Sequence, residues 1–189
     1  MLSPLSMTET LKDFVSRVDE LGIKYMVTGS FAMSVYIPSR TTYDIDVVIE
    51  IKADQAAEFE RRFSPDYYVD AHSIKRAVDS DSIFNIVSNI NGVKVDCIIR
   101  KDSEFERAKF RRRQKVDLEG IDFSVSTKED LILSKLQWAR NSFSEMQLSD
   151  IARLADTGFD NEYVEDWIDR LELTAVWRKV EEWKTQAKK

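Results

Sequence analysis

The chain has 189 residues, 43% hydrophobic and 33% charged, with a net charge of −6. That is enough apolar material for one well-buried domain, alone or with a helical extension, and too acidic a balance for a surface that binds nucleic acid generally. A single cysteine, Cys97, excludes an internal disulfide. With no charged-then-apolar leader and no run of about eighteen apolar residues, neither export nor membrane spanning is expected, and a reducing cytoplasm is.

In chain order, Leu11, Phe14, Val15, Val18 and Leu21 recur at helical intervals and Gly22 supplies a stop, which predicts a helix over residues 8–21. Residues 25–28 form a short β-prone run. Gly29-Ser30 then opens a small-residue amphipathic segment that ends before Pro38, so a strand, turn and helix are expected, with Ser30 as the helix N-cap. Gly29 carries no side chain to hold a ligand away, and the free N–H groups of a helix start suit a phosphate. After the loop containing Arg40, residues 44–51 alternate in strand fashion. Asp44 and Asp46 take one face, and Ile45, Val47, Ile49 and Ile51 the other. Two carboxylates side by side repel and invite a cation.

A helix over residues 53–63 closes at Pro65, and a short strand at 67–69 and a helical turn at 72–78 follow. Residues 82–90 and 93–99 are two apolar runs joined through Asn91-Gly92, a strong hairpin signal that predicts an antiparallel pair. Cys97 reads as a small core residue of the second run. A charged helix over 103–114 precedes a second hairpin, 115–118 with 121–125, about Glu119-Gly120. Lys109, Arg111, Arg112, Arg113 and Lys115 make a local basic patch, which an RNA partner would have to use. From residue 127 four helical segments follow, near 128–141, 145–156, 161–171 and 174–187. The chain therefore divides into a core of residues 1–126 and a helical C-terminal part of 127–189.

Asp96 interrupts the apolar strand of residues 93–99, and an acid there costs free energy unless a cation or donor meets it. If that strand lies beside the Asp44-Asp46 strand, three carboxylates face one another across neighbouring strands, close enough to share metal ions. The rival reading makes Asp44 and Asp46 the solvated face of an edge strand.

Gly29-Ser30, thirteen intervening residues, Asp44-Ile45-Asp46 and a later strand bearing Asp96 together resemble the signature of the nucleotidyltransferase superfamily that includes DNA polymerase beta. The resemblance covers roughly residues 20–100. It implies an α/β (α+β) core with a small mixed sheet flanked by helices, plus an α-helical C-terminal part. It also implies transfer of a nucleoside monophosphate from a nucleoside triphosphate such as ATP to an acceptor hydroxyl. Asp44, Asp46 and Asp96 would be the catalytic and metal-binding residues, holding Mg2+ or Mn2+, with Gly29, Ser30 and Arg40 on the nucleotide. The segment from Lys128 to Leu136, with Arg140 and Asp150-Ile151, is similar to the helical tail of bacterial abortive-infection (AbiEii-like) nucleotidyltransferase toxins. That likeness implies that Lys135 and Asp150 help to hold the triphosphate, and that an antitoxin is a partner. It departs from the pattern at Met146-Gln147, where a basic-acidic pair is usual. A homo-oligomer is an alternative assembly, and the acceptor is open among RNA, protein and a small molecule. A non-catalytic binding protein of the same fold, or a metal-dependent phosphohydrolase, are the rival functions.

Overall fold

The computed structural model describes residues 4–38, 42–140 and 144–187. Helix α1 (Pro4–Glu20) leads into strand β1 (Lys24–Thr28), and a short helix α2 (Gly29–Met33) turns the chain toward β2 (Asp44–Glu50). A 3-10 turn at Ala53–Gln55 starts helix α3 (Ala56–Phe63), followed by β3 (Tyr67–Tyr68) and α4 (Ala71–Asp79). The hairpin β4 (Ile83–Ser88) and β5 (Lys94–Ile99), helix α5 (Glu104–Arg112) and the hairpin β6 (Gln114–Leu118) and β7 (Ile121–Val125) complete the sheet region. Helices α6 (Lys128–Ala139), α7 (Glu145–Ala155), α8 (Asn161–Arg170) and α9 (Thr174–Ala187) end the chain.

Among the described residues the strands form one seven-stranded mixed sheet in the order β3-β4-β5-β2-β1-β7-β6. Both expected hairpins are present and antiparallel, and β5 lies beside β2, in parallel, as the carboxylate pattern requires. The central pairing of β1 with β7 is also parallel.

In-register residues on neighbouring strands share a face of the pleated sheet, and the two faces differ sharply. The row Val125, Val27, Val47, Cys97 and Phe84 faces the main core, where every member is buried. On that side Phe59 stacks on Phe63 with ring centroids 4.3 Å apart, and Phe14 and Phe84 pack against this pair. The same cluster of buried residues continues through Leu131, Leu136, Ile151 and Val180, so the C-terminal helices share the core of the sheet. The opposite face has a much smaller apolar patch, in which Phe110 of α5 covers Met26, Val48 and Ile98. Ile83 and Val87 of β4 and Tyr68 of β3 share that face with polar residues, which include the three predicted acids.

Candidate active site

Thr28, Asp46, Asp96 and Asn85 stand in one row across β1, β2, β5 and β4, and Asp44 and Lys94 pair in the next same-facing row. Period two puts Asp44 beside Asp46, and parallel pairing puts Asp46 beside Asp96, so all three carboxylates lie in the N-terminal halves of β2 and β5, with Asp46 against the Gly29 start of α2. The expected adjacency of the two carboxylate strands is what the structure shows.

Gly29 holds the tightest constraint at this place. Its φ is +65°, and a Cβ built on it would lie 1.9 Å from Asp46 Oδ2. No residue with a side chain fits there, because both the left-handed backbone and the space against the carboxylate demand glycine. The turn therefore presses bare backbone onto Asp46. The cap expected at Ser30 is not formed as predicted: the helix starts at Gly29, Thr28 occupies the N-cap position with no side-chain cap bond, and Ser30 is the second helical residue. The helix is also shorter than expected, ending at Met33, with the chain continuing as turns that hydrogen-bond back to Phe31, Ala32 and Met33. Arg40 lies outside the described residues.

The electrostatics bear the mark of crowded charge. The Asp46 carboxyl is pushed up from 3.8 to about 6, first by burial and then by the charges of Asp44 and Asp96, while Lys135 and Lys94 pull it back in part. Asp44 accepts a hydrogen bond from the Thr42 hydroxyl at 2.9 Å. Asp96 accepts one from the Asn85 amide at 2.9 Å, in the amide orientation that faces its nitrogen to Oδ1 and to the Phe84 carbonyl. Lys94 Nζ sits 2.8 Å from Asp96 Oδ2 and 3.9 Å from Asp44 Oδ2. Sequence reasoning missed Lys94, Asn85 and Thr42. Lys94 had a legible signal, since two residues before Asp96 on a strand is the same face.

Lys135 and Asp150 are joined. Both are buried, Lys135 Nζ lies 2.9 Å from Asp150 Oδ2, and it also donates to Gln147 Oε1 at 3.3 Å. This ion pair ties α6 to α7, and the charge of Lys135 reaches Asp46. Met146 is exposed, while Gln147 serves as the second acceptor for Lys135. The basic patch is largely committed to the fold. Lys109 is buried against Glu106 and Ser134. Arg112 reaches Asp130 and Glu129 and lies 3.7 Å over the Tyr163 ring. Arg113 donates to the Phe110 carbonyl and covers its ring. Arg111 and Lys115 remain exposed.

Carboxylate oxygens on two adjacent strands, mutually repelling and backed by a glycine turn, are the donor chemistry of a hard divalent cation such as Mg2+ or Mn2+. Among the described residues, no group of three or more His, Cys, Asp and Glu side chains is arranged to hold a metal ion as it stands. Side-chain rotation that frees Asp96 and Asp44 from Lys94 would be the adjustment an ion requires. No helix among the described residues is long and apolar enough to cross a membrane.

The mixed sheet with its flanking helices has a nucleotidyltransferase-like fold, as comparison with solved structures shows. The solution structure of the antibiotic-resistance factor ANT(2″)-Ia superposes with a TM-score of 0.61 at 14% identity, covering 97% of this chain and 100% of that one. A nucleotidyltransferase-like antigenic protein of Paracoccidioides brasiliensis gives 0.58 at 14% identity, with 94% of each chain covered. The lincosamide antibiotic adenylyltransferase LnuA, bound to lincomycin, gives 0.51 at 12% identity over 81% of this chain and 96% of that one. At such identities the likeness establishes the fold. No protein-family model matches the sequence, and no curated protein does.

Proposed function

We propose that the protein is a metal-dependent nucleotidyltransferase that moves a nucleoside monophosphate from a nucleoside triphosphate to an acceptor hydroxyl, with release of pyrophosphate. The observation that carries this reading is the in-register placement of Asp46 beside Asp96, with Gly29 backbone pressed onto Asp46. A surface edge strand has no need of either feature, and β2 is central rather than an edge.

Asp44, Asp46 and Asp96 would hold Mg2+ or Mn2+, which when bound supplies charge neutralisation on the phosphates and lowers the pKa of the acceptor hydroxyl. Asp44 and Asp46 serve the triphosphate side. Asp96 would serve the acceptor side, offering the ion there its Oδ2, which now engages Lys94. Gly29 and Ser30 would present backbone to the β and γ phosphates, and the family resemblance adds Arg40 as a phosphate contact. Lys135, held in place by Asp150, directs a buried positive charge toward the same centre. In this division residues 1–126 form the catalytic core and residues 127–189 lend Lys135 to it.

The acceptor is a hydroxyl of RNA, protein or a small molecule. ANT(2″)-Ia, which has this fold, has been crystallised with adenylyl-2″-tobramycin, which supports a small-molecule acceptor as one choice. The likeness to abortive-infection toxins supports a cytoplasmic toxin paired with an antitoxin, with RNA or protein as acceptor. The test is incubation with triphosphates labelled at the α or γ phosphate, a divalent cation, and separate pools of RNA, protein and aminoglycosides. Transfer predicts that α label moves onto one pool while γ label leaves as pyrophosphate. Release of inorganic phosphate without transfer favours hydrolysis, and no reaction with any pool favours a binding protein.

A further inference from the structure

Among the described residues, Lys94 is a basic side chain that its own strand places against two of the carboxylates. Its strand register sets it between Asp44 on β2 and Val87 on β4. Its ammonium spans two of the three acids, 2.8 Å from Asp96 Oδ2 and 3.9 Å from Asp44 Oδ2. Asp96 is already satisfied at its other oxygen by Asn85. The contact with Lys94 thus engages the oxygen that a cation would need. The lysine side chain is 40% exposed, against 16% for Asp96, so the ammonium can leave toward solvent while its stem stays in the row and the core is undisturbed.

We infer that Lys94 is an internal counter-ion that occupies the cation site in the free protein and hands its carboxylates over only when an incoming polyphosphate offers its ammonium a new partner. The inference rests on the reading that Asp44, Asp46 and Asp96 take a divalent cation, and it is independent of whether transfer follows. A cation arriving alone must break the Lys94 contacts and leave the ammonium beside two added positive charges, which repel it. A cation arriving with a triphosphate meets no such penalty, because the phosphate oxygens accept the displaced ammonium. Cation and triphosphate therefore bind cooperatively, and by linkage each tightens the other by the same factor. The device keeps the site closed to bare cations. It also leaves a positive charge at the triphosphate once the site is loaded.

The test titrates Mn2+ into the full chain by calorimetry, with and without a non-hydrolysable triphosphate, for wild type, Lys94→Met and Lys94→Arg. Lys94→Met should bind Mn2+ alone about tenfold more tightly, equivalent to ~1.4 kcal/mol. The gain in Mn2+ affinity on adding the triphosphate should fall by a similar factor. Lys94→Arg keeps the charge and should behave as wild type, which separates charge from shape. Mn2+ affinity that is unchanged or weaker in Lys94→Met, or an unchanged gain from the triphosphate, overturns the inference. So does tighter binding in Lys94→Arg. If no variant binds Mn2+, the cation reading falls with it, whereas normal titrations without label transfer would sink the enzymatic reading alone.

Discussion

Replacing Asp46 by asparagine removes one charge from the carboxylate row at nearly constant shape, and the structure sets both the size and the pH window of the effect. Burial and the neighbouring acids raise the Asp46 carboxyl from 3.8 to about 6. A raised acid pKa means that the folded state binds the proton more tightly than the unfolded chain. Wild type therefore loses stability as pH climbs from 3.8 through about 6 and carries the full cost above that. A difference of about two units corresponds to ~3 kcal/mol at 1.36 kcal/mol per unit, and relaxation and screening reduce this to about 1–3 kcal/mol. For a chain of this size 1 kcal/mol moves the melting temperature by about 2–4 °C. Thermal melts in chelator should show Asp46→Asn more stable than wild type at pH 7.5, with the advantage shrinking toward pH 4. Mn2+ plus a triphosphate should reverse the order, because only wild type keeps the full ligand set. A variant less stable than wild type in chelator, or an advantage that does not vary with pH, would refute the electrostatic argument.

Gly29→Ala should lower the melting temperature and abolish transfer, because the new Cβ meets Asp46. Gly22→Ala has the same φ of +65° and nothing within 4 Å, so it should cost only about 1–2 kcal/mol of backbone strain and leave activity intact. Lys135→Met removes the ammonium that meets buried Asp150 and should destabilise by about 1–4 kcal/mol in denaturant melts. Adding Asp150→Leu should restore stability without restoring triphosphate affinity, whereas recovery of both would make the pair purely structural. Asp96→Ala should cut turnover far more than triphosphate affinity, and a parallel loss of both would contradict its placement on the acceptor side. Tyr163→Phe removes the hydroxyl that donates to buried Asp130 at 2.7 Å and should cost about 1–3 kcal/mol of stability with little change in transfer.

The acids were legible in the sequence because a strand's period of two is a local rule, and an acid inside an apolar strand demands a partner. Asp44, Asp46 and Asp96 are brought together for those reasons. Ser30 was misread as a cap because the rule for caps assumes that the helix begins after the turn. Here Gly29, at φ +65° against Asp46, already lies in the first turn, so Thr28 takes the N-cap position and Ser30 falls one residue inside the helix. That much of the basic patch is committed to the fold was not legible, for a non-local reason. Arg112 meets Asp130 and Tyr163 only through the packing of α5 against α6 and α8, and no window of sequence contains that contact. The parallel pairing of β1 with β7 joins residues such as Val27 and Val125, again beyond any local pattern. Lys135 and Asp150 were singled out only by family likeness, as contacts for the triphosphate, and their pairing with each other was not legible, since a lysine on a helix reads as solvated until α7 is seen to bury it.

The central claim is that the carboxylate row beneath Gly29 is where a triphosphate and its cation are held. A crystal soaked with Mn2+ and a non-hydrolysable triphosphate tests it most directly. The account predicts an anomalous manganese peak within ligating distance of Asp44 and Asp46, phosphates over Gly29-Ser30, and Lys94 turned away from Asp96 onto phosphate oxygen. Nucleotide bound elsewhere, such as the cleft lined by Arg17, Asp66 and Tyr67, with no manganese at the acids, would contradict it.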